Sequence, residues 1–250
     1  MTLALITGVS SGIGWATAEL FAKNNINLII CGRRKEKLEE FKKSFSHLVH
    51  IDILNFDVSN YDEVSVALHS LGNKLENIDI LINNAGGAHG RDPFHQADII
   101  DLDAMIDTNL KGLIYISKII TPFMVKKNFG TIINVSSIAG KENYPNGNVY
   151  SAAKHAVNAL TEGMRLDLNP YGIKVASISP GMVDTEFSLT RFKGDEKKAR
   201  EVYQGMTPLK AGDIAEAIYF MASRPPHVVI ADLTIFPLDQ ASAQVVRRHK

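Results

Sequence analysis

A chain of 250 residues with 45% apolar and 22% charged side chains can bury a large core without disulfide or metal staples. Its 27 basic and 27 acidic groups cancel, which argues against nucleic acid or an anionic membrane as partner. One cysteine, Cys31, excludes a disulfide within the chain and makes the cytoplasm the expected compartment, with Cys31 itself a small core residue.

The chain starts almost at once on Leu3-Ala4-Leu5-Ile6, too short and too uncharged to read as a signal peptide. No apolar run approaches the ~18–20 residues of a membrane span. Short apolar runs then alternate with amphipathic segments. The runs predict strands at 3–6, 27–31, 49–55, 79–82, 131–135, 174–179 and 233–236. The amphipathic segments predict helices at 13–24, 35–44, 61–71, 102–127, 149–168, 197–203 and 214–223. This alternation predicts an α/β fold, a doubly wound parallel sheet with helices on both faces. No linker or repeat divides it, so residues 1–250 read as one unit. A long irregular stretch at 182–212 reads as a substrate lid, and Arg247-Arg248-His249-Lys250 as a solvated basic tail.

Ligands in such sheets bind outside the carboxyl ends of the strands. The first predicted strand ends in Thr7-Gly8-Val9-Ser10-Ser11-Gly12-Ile13-Gly14 and a helix follows at once. The glycines allow a tight turn close to a phosphate, and the helix start offers free N–H groups to the anion. The spacing G-x-x-x-G-x-G differs from the G-x-G-x-x-G fingerprint, and no Gly-Lys-Ser/Thr makes it a Walker loop. Gly8, Ser10, Ser11, Gly12, Ile13 and Gly14 are therefore candidate cofactor ligands. The second strand ends in Gly32-Arg33-Arg34 where NAD-binding folds carry an acid. Arg33 and Arg34 suit a 2′-phosphate and point to NADP(H). Asp57 and the Val58 backbone, after the third strand, can meet the adenine, or Asp57 can cap a turn. In Asn83-Asn84-Ala85-Gly86-Gly87, after the fourth, Asn83, Ala85 and Gly86 can border the cofactor, whereas Asn84 can be purely structural.

Asn109 is a polar, mediocre helix former on an apolar face, suited to bending the helix, holding a water or bonding within the core. The fifth strand runs into Ser136-Ser137, either of which can offer a hydroxyl to a substrate oxygen. No G-x-S-x-G elbow supports a hydrolase. Pro180, Gly181, Val183 and Thr185 follow the sixth strand beside the expected cofactor. Arg191, in an aromatic and cationic stretch, is a candidate for a substrate carboxylate or a surface salt bridge. Tyr150 and Lys154 lie four residues apart, on one face of the 149–168 helix. A phenol titrates near 10, and an adjacent ammonium favours the phenolate, so the pair reads as a tuned proton-transfer site.

Together these residues resemble the short-chain dehydrogenase/reductase family along essentially the whole chain. The resemblance rests on Thr7-Gly8-x3-Gly12-Ile13-Gly14, Asn83-Asn84-Ala85-Gly86, Asn109, Ser137, Tyr150-x3-Lys154 and Pro180-Gly181, in that order. It implies one Rossmann-like sheet with strand order 3-2-1-4-5-6-7. It also implies a catalytic tetrad of Asn109, Ser137, Tyr150 and Lys154, preferring Ser137 over Ser136, with a water on Asn109 in a proton wire. The segments Asn148-Val149-Tyr150, Thr185-Glu186-Phe187-Ser188, Arg191-Phe192-Lys193-Gly194-Asp195, Pro225-Pro226-His227-Val228 and Gln240-Ala241-Ser242 are similar to the NADP-dependent 3-hydroxy acid dehydrogenases. That subgroup implies a homotetramer acting on L-allo-threonine, serine and 3-hydroxyisobutyrate-like acids and reducing malonic semialdehyde, of the 3-hydroxypropionate type; Ser137, Tyr150 and Arg191 are the candidate substrate residues, and no metal is expected. Ser151-Ala152-Ala153 also occurs in 3-oxoacyl carrier-protein reductases, so a thioester or broad carbonyl reductase is the alternative. A nucleotide-binding sensor without turnover is a third reading.

Overall fold

Side chains alternate across each predicted strand, so one apolar run supplies two cores. The structure, a computed structural model, describes residues 2–249. Ala4, Ile6, Leu28, Ile30, Ile82 and Ile178 point to one face of a parallel sheet, while Leu3, Leu5, Ile29, Cys31, Leu81 and Val175 point to the other. The strands are β1 (Leu3–Thr7), β2 (Asn27–Gly32), β3 (Ile51–Asn55), β4 (Ile80–Asn83), β5 (Gly130–Val135), β6 (Ile173–Pro180) and, late in the chain, β9 (Asp232–Ile235). Their order is β3-β2-β1-β4-β5-β6-β9, all parallel, as expected with β9 as seventh strand.

Helices α1 (Gly12–Lys23), α2 (Lys35–Phe45) and α9 (Ala211–Ala222) cover the first face through Phe21, Leu38, Phe41, Ile214 and Ile218. Helices α3 (Tyr61–His69) and α5 (Gly112–Lys127) cover the second through Val64, Leu68, Ile116, Ile120 and Met124. Most of these side chains are fully buried, each contributing roughly 1.5–3 kcal/mol. Cys31 is among them, and burial pushes its thiol up, as suits an inert core residue. The strand order reverses between β1 and β4, which opens a crevice at the carboxyl ends of both.

Four expectations need correction. The stretch 102–127 is two helices, α4 (Ile99–Ile106) and α5, joined by a π-helical turn at Asp107–Lys111. Asn109 accounts for the break: its side chain donates to Met105 O (2.8 Å) and Gly87 O (2.7 Å) and accepts from Gly87 N (3.1 Å). It thereby ties the helix junction to the loop after β4. The predicted helix 61–71 ends at His69 and passes into a 3-10 turn, Gly72–Asn77. Residues 182–212 are not irregular. They hold β7 (Val183–Asp184), α7 (Phe187–Arg191), α8 (Glu196–Glu201) and β8 (Leu209–Lys210), with β7 and β8 paired in parallel. Nor is the basic tail simply solvated. Arg247 and His249 converge on the buried carboxylate of Asp239, at 2.5 Å and 3.1 Å, and Arg248 donates to Val202 O and Gln204 O. Lys250 lies outside the described residues.

Candidate active site

The crevice is a cavity of about 530 Å³ over the carboxyl ends of β1, β2, β4, β5 and β6. At its phosphate end the β1–α1 turn reverses through Gly8 (φ +72°) and Gly12 (φ +56°), left-handed positions that favour glycine. Ser11 precedes α1 in extended backbone and its side chain does not cap the helix, so the first N–H groups face the cavity. Ser10, Ser11, Gly12 and Ile13 all line the wall. Gly14 does not. A Cβ there would lie 2.2 Å from Gly8 O, so this glycine permits helix and turn to touch. Asn84 holds that turn, donating to Thr7 O (2.8 Å) and Gly8 O (3.3 Å).

Asn83 also departs from expectation. Its amide is spent in a buried network, donating to Ser117 Oγ (3.0 Å) and Asn134 Oδ1 (2.8 Å), away from the wall that Asn84, Ala85 and Gly86 form. Because side chains alternate along a strand, two adjacent asparagines take opposite duties.

Arg33 and Arg34 stand at the far end of the crevice beside Asp57 and Val58. Arg33 is two-thirds exposed and reaches Asp57 only at 3.5 Å. Burial pushes the Asp57 carboxyl up, but two hydrogen bonds from Ser59 and the Arg33 charge outweigh it, so the group stays below the usual range. Arg34 donates to Ser10 O (3.1 Å) and to Glu186 (2.8 Å) at the start of α7. No acid stands at the tip of β2. This donor set fits a dinucleotide with a 2′-phosphate: two guanidiniums at one end and a glycine cradle in the middle.

The other end holds the long helix α6 (Asn148–Leu168). Tyr150 and Lys154 share its buried face, in a small apolar cluster with Ala88, Met105, Ala139 and, from α7, Phe187. The Phe187 ring lies 5.5 Å from that of Tyr150. Ser137 lines the cavity beside the phenol and acts to lower it, whereas the Ser136 hydroxyl donates to Lys154 O at 3.3 Å. Orientation at the end of β5 thus separates two serines that composition could not. Pro180, Gly181, Val183 and Thr185 line the opposite wall, with Thr185 close against Gly12.

The expected acid–base coupling takes a different form. Burial raises the Tyr150 phenol above its ordinary value, and the nearby Tyr144 raises it further. The groups that pull it down are the Ser137 hydroxyl and Arg191, whose guanidinium lies 5.7 Å from the Tyr150 ring. Lys154 Nζ is 5.9 Å from that ring and donates to Val135 O at 3.0 Å. Its own ammonium is lowered by burial to about 8.

This depression has a measurable sign. Between about 8 and the ordinary 10.5, the unfolded chain binds more protons at Lys154 than the folded chain does. Its contribution to stability therefore grows as pH rises through that window, by about 1–2 kcal/mol from pH about 8 to about 9.5. Tyr150 acts oppositely, and only as pH passes its unfolded value of about 10. Urea unfolding of wild type and Lys154→Met across this range should show their stability difference rising with pH. A constant difference would contradict a depressed Lys154.

Arg191 is placed by two bonds, donating to Tyr144 OH (2.8 Å) and Gly90 O (3.3 Å), and lines the cavity. His89, Arg91 and Tyr144 share that wall and were not singled out from sequence. Their signal was available: His89 and Arg91 lie in a loop at a strand's carboxyl end, and Tyr144 precedes α6.

Residues 2–196 match the short chain dehydrogenase family. The chain is 40% identical over 242 residues to the NADP-dependent 3-hydroxy acid dehydrogenase of Escherichia coli strain K12, covering 96% of this chain and 97% of that protein. It is 39% identical over 239 residues to the serine 3-dehydrogenase of Agrobacterium fabrum, covering 96% and 95%. A solved closed form of serine dehydrogenase complexed with NADP+ superposes with a TM-score of 0.93 at 39% identity, over the full length of both chains. With the glycine turn, the Asn109 junction and the Tyr150–Lys154 face on one crevice, and with these matches along its length, the chain belongs to the short chain dehydrogenase family.

Proposed function

We propose that the protein is an NADP-dependent dehydrogenase that interconverts a small 3-hydroxy acid and its oxo form. The observation that carries this reading is a single crevice with Arg33 and Arg34 at one end and Tyr150, Ser137 and Arg191 at the other. The relatives named above, NADP-dependent 3-hydroxy acid dehydrogenase and serine 3-dehydrogenase, support it.

NADP(H) would lie along Gly8, Ser10, Ser11, Gly12 and Ile13, with its 2′-phosphate on Arg33 and Arg34. The adenine would meet Asp57 and Val58. Ala85, Gly86, Pro180, Gly181, Val183 and Thr185 would flank the remainder. When bound, it supplies the hydride acceptor or donor. Tyr150 gives a proton to the carbonyl oxygen in reduction and takes the hydroxyl proton in oxidation. A phenol raised by burial holds its proton at neutral pH, which suits the acid role; Ser137 and Arg191 draw it back toward the base role. Ser137 fixes the substrate oxygen. Lys154, poised near 8, relays the proton, and Asn109 holds the Gly87 loop against the junction of α4 and α5 beside it.

Arg191 holds the carboxylate with a charge-assisted fork. Residues 182–212 act as a lid, tied to the cofactor end through Arg34 and Glu186 and to the phenol through Phe187. Residues 1–250 work as one unit, in the cytoplasm and as a homotetramer. Exposed Ile99, Ile100 and Ile114 on α4 and α5, and Leu166 on α6, supply apolar surface for subunit contact.

A substrate panel tests the reading. L-allo-threonine, serine and 3-hydroxypropionate should turn over with NADP+ faster than acetoacetyl thioesters do with NADPH. Arg191→Ala should lower kcat/KM for the acids about 10–100-fold more than for a neutral secondary alcohol. Equal losses for acid and neutral substrates would remove Arg191 from the carboxylate. Rapid turnover of the thioester alone would favour the reductase alternative.

A further inference from the structure

The substrate end of the crevice carries more positive charge than one carboxylate needs. Arg91 and Arg191 flank the same aromatic ring: their guanidiniums lie 5.8 Å and 5.4 Å from the centroid of Tyr144. The loop after β4 and helix α7 are laced together at Gly90, whose N–H donates to Arg191 O (2.9 Å) and whose carbonyl accepts from Arg191 Nε. That lacing sets Arg91 beside Arg191, and partial desolvation, then repulsion between the two cations, lowers Arg91. His89 lines the wall next to them.

Among the described residues, no acid forms an ion pair with Arg91 or Arg191. The acids on the cavity wall are Asp57 and Glu186, both at the cofactor end and paired with Arg33 and Arg34. Asp92 and Asp101 lie beside Gly90 in a smaller adjoining cavity that Arg191 also lines, and there Asp101 pairs with Lys193 at 2.7 Å. Arg191 is anchored by Tyr144 and Gly90. Among the described residues, Arg91 has neither a hydrogen bond nor an ion pair, only its stack on Tyr144, and it stands exposed at the cavity mouth. Two unneutralised guanidiniums held side by side form a site for two negative charges.

We propose that Arg91 is a second anion-binding, specificity-determining residue, and that the preferred substrate is a 3-hydroxy acid with a second carboxylate. The inference rests on the 3-hydroxy acid reading above. Arg191, nearer the phenol, takes the carboxylate that orients the hydroxyl toward Tyr150. Arg91, farther out, takes the distal one. The second group takes no part in the hydride and proton transfers.

The test compares 3-hydroxyglutarate with 3-hydroxypentanoate, which differ by a carboxylate in place of a terminal methyl group. The wild-type enzyme should favour 3-hydroxyglutarate in kcat/KM by tenfold or more. Arg91→Gln should erase most of that preference, mainly through KM, while Arg91→Lys retains a good part of it. Raised salt should shrink it in the wild type. Binding of the unreactive glutarate and pentanoate to the NADP+-loaded protein, followed by calorimetry, gives a readout independent of turnover. Glutarate should bind at least tenfold tighter, and Arg91→Gln should level the two.

If 3-hydroxypentanoate turns over well but neither assay shows a preference, or if Arg91→Gln weakens both compounds equally, the inference fails and the 3-hydroxy acid reading stands. If neither hydroxy acid turns over while glutarate still binds through Arg91, the anion site survives and the substrate reading falls.

Discussion

Replacing Tyr150 with Phe is expected to lower kcat by about 10³-fold, the typical worth of a positioned acid–base group, or about 4 kcal/mol in the barrier. The ring remains, so the contact with Phe187 and the apolar cluster around it should persist. Loss of this one buried hydroxyl should change stability by only about 1 kcal/mol. NADPH affinity should therefore stay within about threefold and the unfolding midpoint should move little. Steady-state turnover, an NADPH fluorescence titration and a thermal melt together separate chemistry from folding. Near-wild-type turnover with intact NADPH binding would show that another group moves the proton.

The double substitution Arg33→Ala, Arg34→Ala should lower the NADP over NAD preference by roughly 10²–10⁴-fold, because each charge-assisted contact to a phosphate is worth about 1.5–3 kcal/mol. The two single variants should differ. Arg33 has one long contact to Asp57 and is largely exposed, so its loss should act on the cofactor alone. Arg34 also holds Ser10 O and Glu186, so its removal should additionally loosen α7 and raise KM for the acid substrate. Ratios of kcat/KM for NADP+ and NAD+ in all three variants decide the matter. An unchanged ratio in the double variant would overturn the assignment of the 2′-phosphate to these residues.

The sheet was legible because its physics is local. Apolar runs such as Leu28-Ile29-Ile30 can bury both faces only in a covered parallel strand, and the helices between them show one apolar stripe each. The glycine turn was legible for the same reason: a strand, a left-handed glycine and a helix start lie within a few residues of one another. The lid was less so. Pairs of short elements such as β7 and β8 owe their existence to partners far along the chain, and five- or six-residue helices leave almost no periodicity to read.

Composition and spacing alone therefore determined the fold class, the glycine cradle and the Tyr150–Lys154 face, each of which depends on residues close in sequence; the strand order was implied only by the family resemblance. Only the tertiary structure decided which of two adjacent asparagines meets the crevice, Asn84 and not Asn83; between Ser136 and Ser137 the resemblance had already preferred Ser137. The tertiary structure alone put Asn109 into a π-turn braced on Gly87 and buried the Tyr150 phenol so that its ordinary value is raised. It alone brought Arg91 beside Arg191, 100 positions later in the chain, around one tyrosine ring. The physical reason is shared. Side-chain direction, burial and the distance between charges are set by packing among distant segments, and a pattern read along one segment contains none of them.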